Sequence, residues 1–316
     1  MSPLDGMGNG IKNPTGFDID KSIPPLDGKI IIVTGGNAGI GKETILQLSK
    51  HNPQKIYLAA RSKAKYDAAM EDVRSKVSDA KVDFLEMDLT SFASIKTAAE
   101  QVIADNDRLD ILVNNAGIMG APAGTTKEGY ESHIGVNHMG HALFTRLLLP
   151  LLLKTAEQPN SDVRIVTVSS AGQMLAPSKG IIFENIKSDG KGTHPFVLYG
   201  TSKLANIIHA RQIAKRYPQI LAVSIHPGRV QTTLLDEYTK GGGFMARFQQ
   251  VYDWAIGVLS VEKGAWSQIW AATWKREDVK NGAYYTPVGA EGKIVPKGMD
   301  DALADQLWDW QEKEFK

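Results

Sequence analysis

The sequence predicts an α/β fold built on a doubly wound, mostly parallel sheet. Two observations predict it. Short apolar runs lie at Ile30–Val33, Ile56–Ala60, Val82–Met87, Ile111–Val113, Val163–Val168 and Leu221–Ile225. Between them run longer stretches with helical spacing, such as Ile40–Leu48, Ile95–Ile103 and Leu204–Ile213. Strand and helix alternating at this rhythm imply parallel strands with helices on both faces. Right-handed crossovers then wind the sheet both ways, and ligands in such sheets sit beyond the carboxyl ends of the strands.

In chain order, residues 1–26 are rich in Gly, Pro, Asn and Asp without an apolar period, and read as an extended N-terminal arm. The strand–helix pattern begins at residue 27, and from about Gly190 its regularity changes. Residues 171–198 form a polar, Gly- and Pro-containing connection. Residues 229–262 contain Gly241-Gly242-Gly243, which reads as the joint of a lid, and then an apolar-aromatic stretch from Phe244 to Leu259. Trp266, Trp270 and Trp274 recur every four residues, which places them on one helix face and predicts core packing. At about 100–200 residues per domain, length alone suggests two domains. The motifs below are interleaved from Gly35 to Thr232, so residues 27–316 are expected to form one extended domain with a C-terminal tail.

Composition removes several chemistries. Cysteine is absent from the 316 residues, which excludes disulfides, a Cys nucleophile, Cys-ligated zinc and iron–sulfur clusters. Lys plus Arg is 36 against 35 for Asp plus Glu, so no long-range field favours nucleic acid, and no nucleic-acid partner is expected. The apolar run Leu147–Leu153 holds Pro150 and is far too short to cross a bilayer. With no basic-then-apolar leader in the first thirty residues, a reducing, cytoplasmic setting is expected.

The first strand runs into Thr34-Gly35-Gly36-Asn37-Ala38-Gly39-Ile40-Gly41 and then directly into a helical pattern. Glycines there serve a tight turn and a close approach of backbone to a pyrophosphate. The helix N-terminus adds free N–H groups and the positive end of its dipole. The spacing Gly-x-x-x-Gly-x-Gly differs from the common dinucleotide fingerprint, but its place after the first strand of an alternating pattern supports a dinucleotide site of Rossmann type. About 20 residues past such glycines, an acid suits the ribose 2′-hydroxyl of NAD and an arginine suits the 2′-phosphate of NADP. Arg61 stands there, after Ala59 and Ala60 and before Ser62. NADP(H) is therefore expected ahead of NAD(H), with Asn37 and Ser62 as further donors. Asp88-Leu89 follows the third strand and Asn114-Asn115-Ala116-Gly117 the fourth, both on the ligand edge. Singly, Asp88 reads equally as a cap for the helix near Ser91, and the Asn–Gly residues as a turn.

Tyr199 and Lys203, four apart at the opening of a helix, share a face. A phenol has a pKa near 10, and a neighbouring ammonium favours the phenolate and lowers it. Ser169-Ser170 at the end of the fifth strand and Asn137 before it add donors on the same edge. His133, His138 and His141 have no accompanying carboxylate pattern and read as packed or hydrogen-bonded histidines, so no metal is expected.

Together the Thr-Gly-x-x-x-Gly-x-Gly turn, the Asn-Asn-Ala-Gly run, the serine and the Tyr-x-x-x-Lys pair resemble the short-chain dehydrogenase/reductase family across roughly residues 27–235. Val136-Asn137-His138-Met139-Gly140-His141, Tyr199-to-Asn206 and His226-Pro227-Gly228 look like its retinol-dehydrogenase and WW-domain-oxidoreductase type; the tail Gly282–Gly289 resembles fungal members. The resemblance implies Tyr199 as general acid or base, Lys203 lowering its pKa and bonding the nicotinamide ribose, Ser170 holding the substrate oxygen, and Asn137 positioning a relay water. It also implies cofactor contacts from Gly35, Asn37, Gly39, Ile40, Gly41, Arg61, Ser62, Asp88, Leu89, Asn115, Ala116, Gly117, Pro227, Gly228, Val230 and Thr232. The 29 positions from Ser170 to Tyr199 exceed the gap of shorter members. Membrane-bound relatives open on an apolar anchor helix, and residues 1–26 contain none, so no membrane anchor is expected.

The expected activity is hydride transfer between nicotinamide and a carbonyl or secondary alcohol. Phe196, Leu234, Leu235, Phe244, Met245, Phe248, Tyr252 and Trp254 suggest an apolar wall and a hydrophobic small-molecule substrate. A non-catalytic dinucleotide-binding scaffold is the alternative, and it would not need all of Asn137, Ser170, Tyr199 and Lys203. An epimerase or dehydratase using the same Tyr and Lys ranks third, its relatives normally showing another glycine spacing. A homodimer is left open, because helix faces that pair in dimeric relatives can be covered by a chain's own tail.

Overall fold

The computed structural model describes residues 12–230 and 258–316. The six apolar runs are strands: β1 (Ile30–Thr34), β2 (Lys55–Ala60), β3 (Val82–Glu86), β4 (Ile111–Asn114), β5 (Arg164–Val168) and β6 (Leu221–Ile225). Two short strands, β7 (Tyr284–Thr286) and β8 (Ala290–Glu291), extend the sheet. The order is β3-β2-β1-β4-β5-β6-β7-β8, parallel throughout except for the antiparallel β7–β8 pair. The doubly wound, Rossmann-type α/β fold is therefore observed. Chain order reverses between β1 and β4, so the crevice for a ligand opens between their carboxyl ends.

Side-chain alternation divides the core. Ile30 and Ile32 of β1 join one apolar cluster and Ile31 and Val33 the other. The first cluster is covered by α3 (Phe92–Asp105), α5 (Gly140–Ala156), α6 (Pro195–Arg216) and α8 (Asp301–Glu314). The second is covered by α1 (Gly39–Ser49), α2 (Lys63–Lys76) and α7 (Val261–Thr273). Trp270 on α7 is buried, with Trp266 and Trp274 packed around the same cluster, so the tryptophan stripe is core.

The arm is not merely extended over its described part. Phe17, Ile23 and Leu26 are buried in the second cluster, and Phe17 meets Trp274 edge-on at 5.9 Å. Burying an aromatic of that size contributes about 1.5–3 kcal/mol. Asp88 does not cap α3: the Ser91 hydroxyl does, accepting from the Ser94 N–H. Nor does Tyr199 open its helix. His194 caps α6, whose first residue is Pro195, so Tyr199 lies a full turn inside. Between a short helix α4 (Ser132–Ile134) and α5, residues Gly135–Met139 form a π-helical turn, a feature frequent at functional sites. Among the described residues no helix is long and apolar enough to cross a membrane.

Candidate active site

The β1–α1 loop is shaped by close approach. Gly35 (φ +66°) and Gly39 (φ +53°) are left-handed, which favours glycine. At Gly41 a Cβ would lie 2.5 Å from the Gly35 carbonyl oxygen and 2.5 Å from Asn115 Nδ2. Helix α1 starts after Ala38, which makes no side-chain capping bond, and its first turn holds no acid. Its amides are thus free to meet an anion, and the residues present fit the pyrophosphate of a dinucleotide. Asn37 and Ile40 are half-buried at this edge.

The neighbouring strand ends complete the rim. The Gly35 N–H donates to the Ala59 carbonyl at 2.8 Å, which brings the end of β2 against the loop. Arg61, next after β2, is exposed and has no ion pair or hydrogen bond among the described residues. Ser62 caps α2, its hydroxyl accepting from the Lys65 N–H. Asp88 Oδ1 accepts from the Thr90 N–H and hydroxyl at 3.0 and 2.8 Å, and Leu89 is buried. The Asn115 and Ala116 N–H groups both donate to the Thr34 hydroxyl at 2.9 Å, and Asn115 Nδ2 donates to the Thr34 carbonyl at 2.7 Å. Asn115 Oδ1 is buried without a partner. Gly117 packs so tightly that a Cβ would lie 3.2 Å from Asn137 Oδ1 and 3.4 Å from Lys203 Nζ. Beyond β6, Pro227 and Gly228 (φ +88°) turn the chain, and Val230 pairs with Leu259. Thr232, the triple glycine, the 244–257 part of the aromatic stretch and the proposed wall residues other than Phe196 lie outside the described residues.

Tyr199 and Lys203 meet on one face of α6, with Lys203 Nζ 5.6 Å from the phenol ring centroid. Both are buried. Gly172 leaves the ring its space, since a Cβ there would stand 2.8 Å from Tyr199 Cε1. The two serines after β5 have separate tasks. Ser169 Oγ is committed to the Lys203 carbonyl at 2.7 Å, whereas Ser170 bonds the Tyr199 side chain and accepts from the Gly172 N–H at 3.0 Å. Asn137 clamps Ile118, accepting from its N–H at 2.7 Å and donating to its carbonyl at 3.0 Å, and also donates to Ser202 Oγ at 2.9 Å. Ser202 in turn donates to the Tyr199 carbonyl at 2.7 Å. The sequence reading had not singled out Ser202, although it lies inside the Tyr-x-x-Ser-Lys run.

The electrostatics reverse one expectation. Burial pushes Tyr199 up to about 12, against the lowering effect of its bond to Ser170. Burial pulls Lys203 down to about 8. Lys203 Nζ donates one hydrogen bond to the Val168 carbonyl at 3.0 Å, and desolvation by burial dominates at the phenol. The phenol therefore keeps its proton at neutral pH.

The histidines are structural in their contacts. His133 Nδ1 bonds Glu131 at 2.7 Å, His138 bonds Asn206 at 3.0 Å, and His141 lies between Thr34 and Asn137. Among the described residues no cluster of three or more His, Cys, Asp or Glu could hold a metal ion.

The pattern described as short chain dehydrogenase matches residues 29–242. The chain belongs to the short chain dehydrogenase family. An oxidoreductase of Schizosaccharomyces pombe is 38% identical over 317 residues, covering 98% of this chain and 92% of that one. Retinol dehydrogenase 11 of Mus musculus is 32% identical over 286 residues, covering 90% and 85%. The solved structure of an uncharacterized protein from Mycobacterium paratuberculosis is similar with a TM-score of 0.72 at 25% identity, over 95% of this chain and 98% of that one. A short chain dehydrogenase is an oxidoreductase, and this chain belongs to that class.

Proposed function

We propose that this short chain dehydrogenase is NADP(H)-dependent and acts on a carbonyl or secondary alcohol of a hydrophobic small molecule. Tyr199 is its general acid in reduction and general base in oxidation. The observation that carries the reading is the buried Tyr199, bonded by Ser170, with Lys203 one turn on and the glycine cradle alongside. The bound nicotinamide supplies or takes the hydride. Ser170 holds the substrate oxygen by its hydroxyl, and Tyr199 gives that oxygen its proton as it becomes an alkoxide. The Lys203 ammonium stabilises the phenolate left behind. Asn137 keeps the Ile118 segment and Ser202 in place around them.

The reading extends to the retinol-dehydrogenase and WW-domain-oxidoreductase type on the strength of Asn137-His138-Met139-Gly140-His141. NADP over NAD rests on Arg61, exposed beside the loop and without a partner among the described residues. The test follows NADPH absorbance against a panel of ketones and aldehydes. Tyr199→Phe is expected to abolish turnover while NADPH still binds; a fully active variant overturns the assignment. Arg61→Ala is expected to lower the preference for NADPH over NADH by roughly tenfold or more, the loss of one charge-assisted phosphate contact. An unchanged ratio removes the 2′-phosphate argument.

A further inference from the structure

The buried imidazole of His141 has no part in the proton transfer, yet it joins the two halves of the site. Thr34, Asn137 and His141 are all buried. The Thr34 hydroxyl accepts the Asn115 and Ala116 N–H groups, each at 2.9 Å. A hydroxyl offers two lone pairs and one proton, so with both lone pairs engaged its proton must be donated outward. The acceptor is His141 Nε2, 2.8 Å away. That nitrogen therefore carries no proton, and the neutral ring bears its single N–H on Nδ1. Nδ1 lies 3.1 Å from the Asn137 carbonyl and donates to it. The direction of every bond is fixed from one end.

The chain does not stop at Asn137. Its Nδ2 donates to Ser202 Oγ, which donates to the carbonyl of Tyr199. One continuous path thus runs from the turn that would cradle a pyrophosphate, through Thr34, His141, Asn137 and Ser202, to the residue carrying the phenol. His141 is the link that spans from strand β1 to the π-helical turn. In that turn the ladder is shifted by a residue, the Gly140 N–H bonding the Gly135 carbonyl five positions back.

We propose that His141 is a positioning residue that holds the catalytic segment in register with the dinucleotide cradle, accepting from Thr34 at Nε2 and donating to Asn137 at Nδ1. Its effect on turnover rests on the oxidoreductase reading above; its tautomer and its effect on dinucleotide binding do not. The groups facing the ring are Thr34, the Asn137 carbonyl, the Lys203 ammonium and the buried imidazoles of His138 and His209. Burial holds the ring neutral, down at about 4.

Two substitutions separate the ends of the link. An asparagine amide nitrogen falls near the place of Nδ1, so His141→Asn keeps the donor to Asn137 and leaves Thr34 unpaired. A glutamine oxygen reaches the place of Nε2, so His141→Gln keeps the acceptor for Thr34 and leaves the Asn137 carbonyl unpaired. His141→Asn is expected to retain kcat within about threefold and to weaken NADPH binding by roughly tenfold. His141→Gln is expected to do the reverse, and His141→Phe to lose both. Nitrogen-15 NMR of the wild-type chain is expected to show His141 as the Nδ1–H tautomer from pH 6 to 8. An Nε2–H tautomer, or Asn and Gln variants that lose kcat and NADPH affinity together in proportion to their loss of Tm, overturns the proposal. So does a set of variants all equal to wild type. If His141→Phe does not fold, the Asn and Gln pair still decides. If wild type binds NADPH but turns over no carbonyl, the functional reading fails, while the tautomer and the NADPH affinities still judge the link.

Discussion

Gly172→Ala tests the position of the phenol proposed as the proton donor, against which the added methyl would press most closely. Gly172 lies in the 3-10 turn Ala171–Leu175 and has no left-handed backbone, so alanine imposes no conformational strain there. Its added Cβ would stand 2.8 Å from Tyr199 Cε1 and 3.1 Å from Cδ1. Ordinary carbon contacts begin near 3.5 Å, so the ring and the methyl must separate by about 0.7 Å. The turn cannot easily yield, because Gln173 donates to the Lys293 carbonyl at 2.8 Å and accepts from the Val295 N–H at 3.0 Å. The phenol must move instead, away from Ser170. A misplacement near 1 Å costs on the order of 100-fold in rate, so kcat is expected to fall by roughly that factor. NADPH affinity, set at the β1–α1 loop, should stay within about threefold of wild type. The assay pairs steady-state NADPH oxidation with a fluorescence titration of NADPH binding and a Tm. A kcat within threefold of wild type, at unchanged Tm, refutes the placement of Tyr199 as the proton donor beside Ser170.

Two pH dependences follow from burial. Lys203 loses its proton near 8 while Tyr199 keeps its own to about 12, so the rate of carbonyl reduction should decline above pH 8; a rate flat to pH 10 removes the ammonium from the mechanism. Stability should fall on mild acidification. His138 is lowered to about 3 and His141, His209 and His226 to about 4, all by burial. Between pH 6.5 and 4 the unfolded chain binds protons there that the native chain does not, so stability rises with pH and is lost as pH falls through this window. From pH 7.5 to 5.5 each such histidine costs on the order of 1 kcal/mol, several in sum, against a total stability of about 5–15 kcal/mol. Urea denaturation across that range checks it; an unfolding midpoint unchanged at pH 5.5 contradicts neutral burial of these rings.

The sheet was legible because a strand buried on both faces is apolar along most of its length. All of Ile30–Thr34 and Leu221–Ile225 are buried, and their sequences announce it. Strands β7 and β8 were not legible. Three and two residues are too few to carry a period, and β7 is fixed instead by the pairing of Tyr284 with Ser224 and Tyr285 with Ile225. Phe17 and Ile23 looked isolated because what buries them, Trp274 and its neighbours, lies at the other end of the chain. The C-terminal helix, by contrast, had left a signal unread: Asp300 caps it, accepting from the Leu303 N–H at 3.1 Å, and Leu303, Ala304, Leu307 and Gln311 follow at helical spacing on its buried face.

In the site, spacing gave the members and could not give the energetics. Four residues from Tyr199 to Lys203 place both on one helix face whatever the fold. Whether the ammonium then lowers the phenol depends on what each atom touches. Lys203 Nζ turns to the Val168 carbonyl, at the end of a strand 35 residues earlier. Tyr199 is enclosed by the 3-10 turn after that strand, by Ser170 and by the glycine that makes room for it. Desolvation is the sum of all such neighbours, most of them distant in sequence, and here it raises the phenol in spite of its bond to Ser170. The same reasoning separates Ser169 from Ser170. Adjacent in sequence and alike in chemistry, they meet different residues of α6, and only the packing of α6 against β5 decides that Ser169 is consumed by the Lys203 carbonyl while Ser170 meets the phenol.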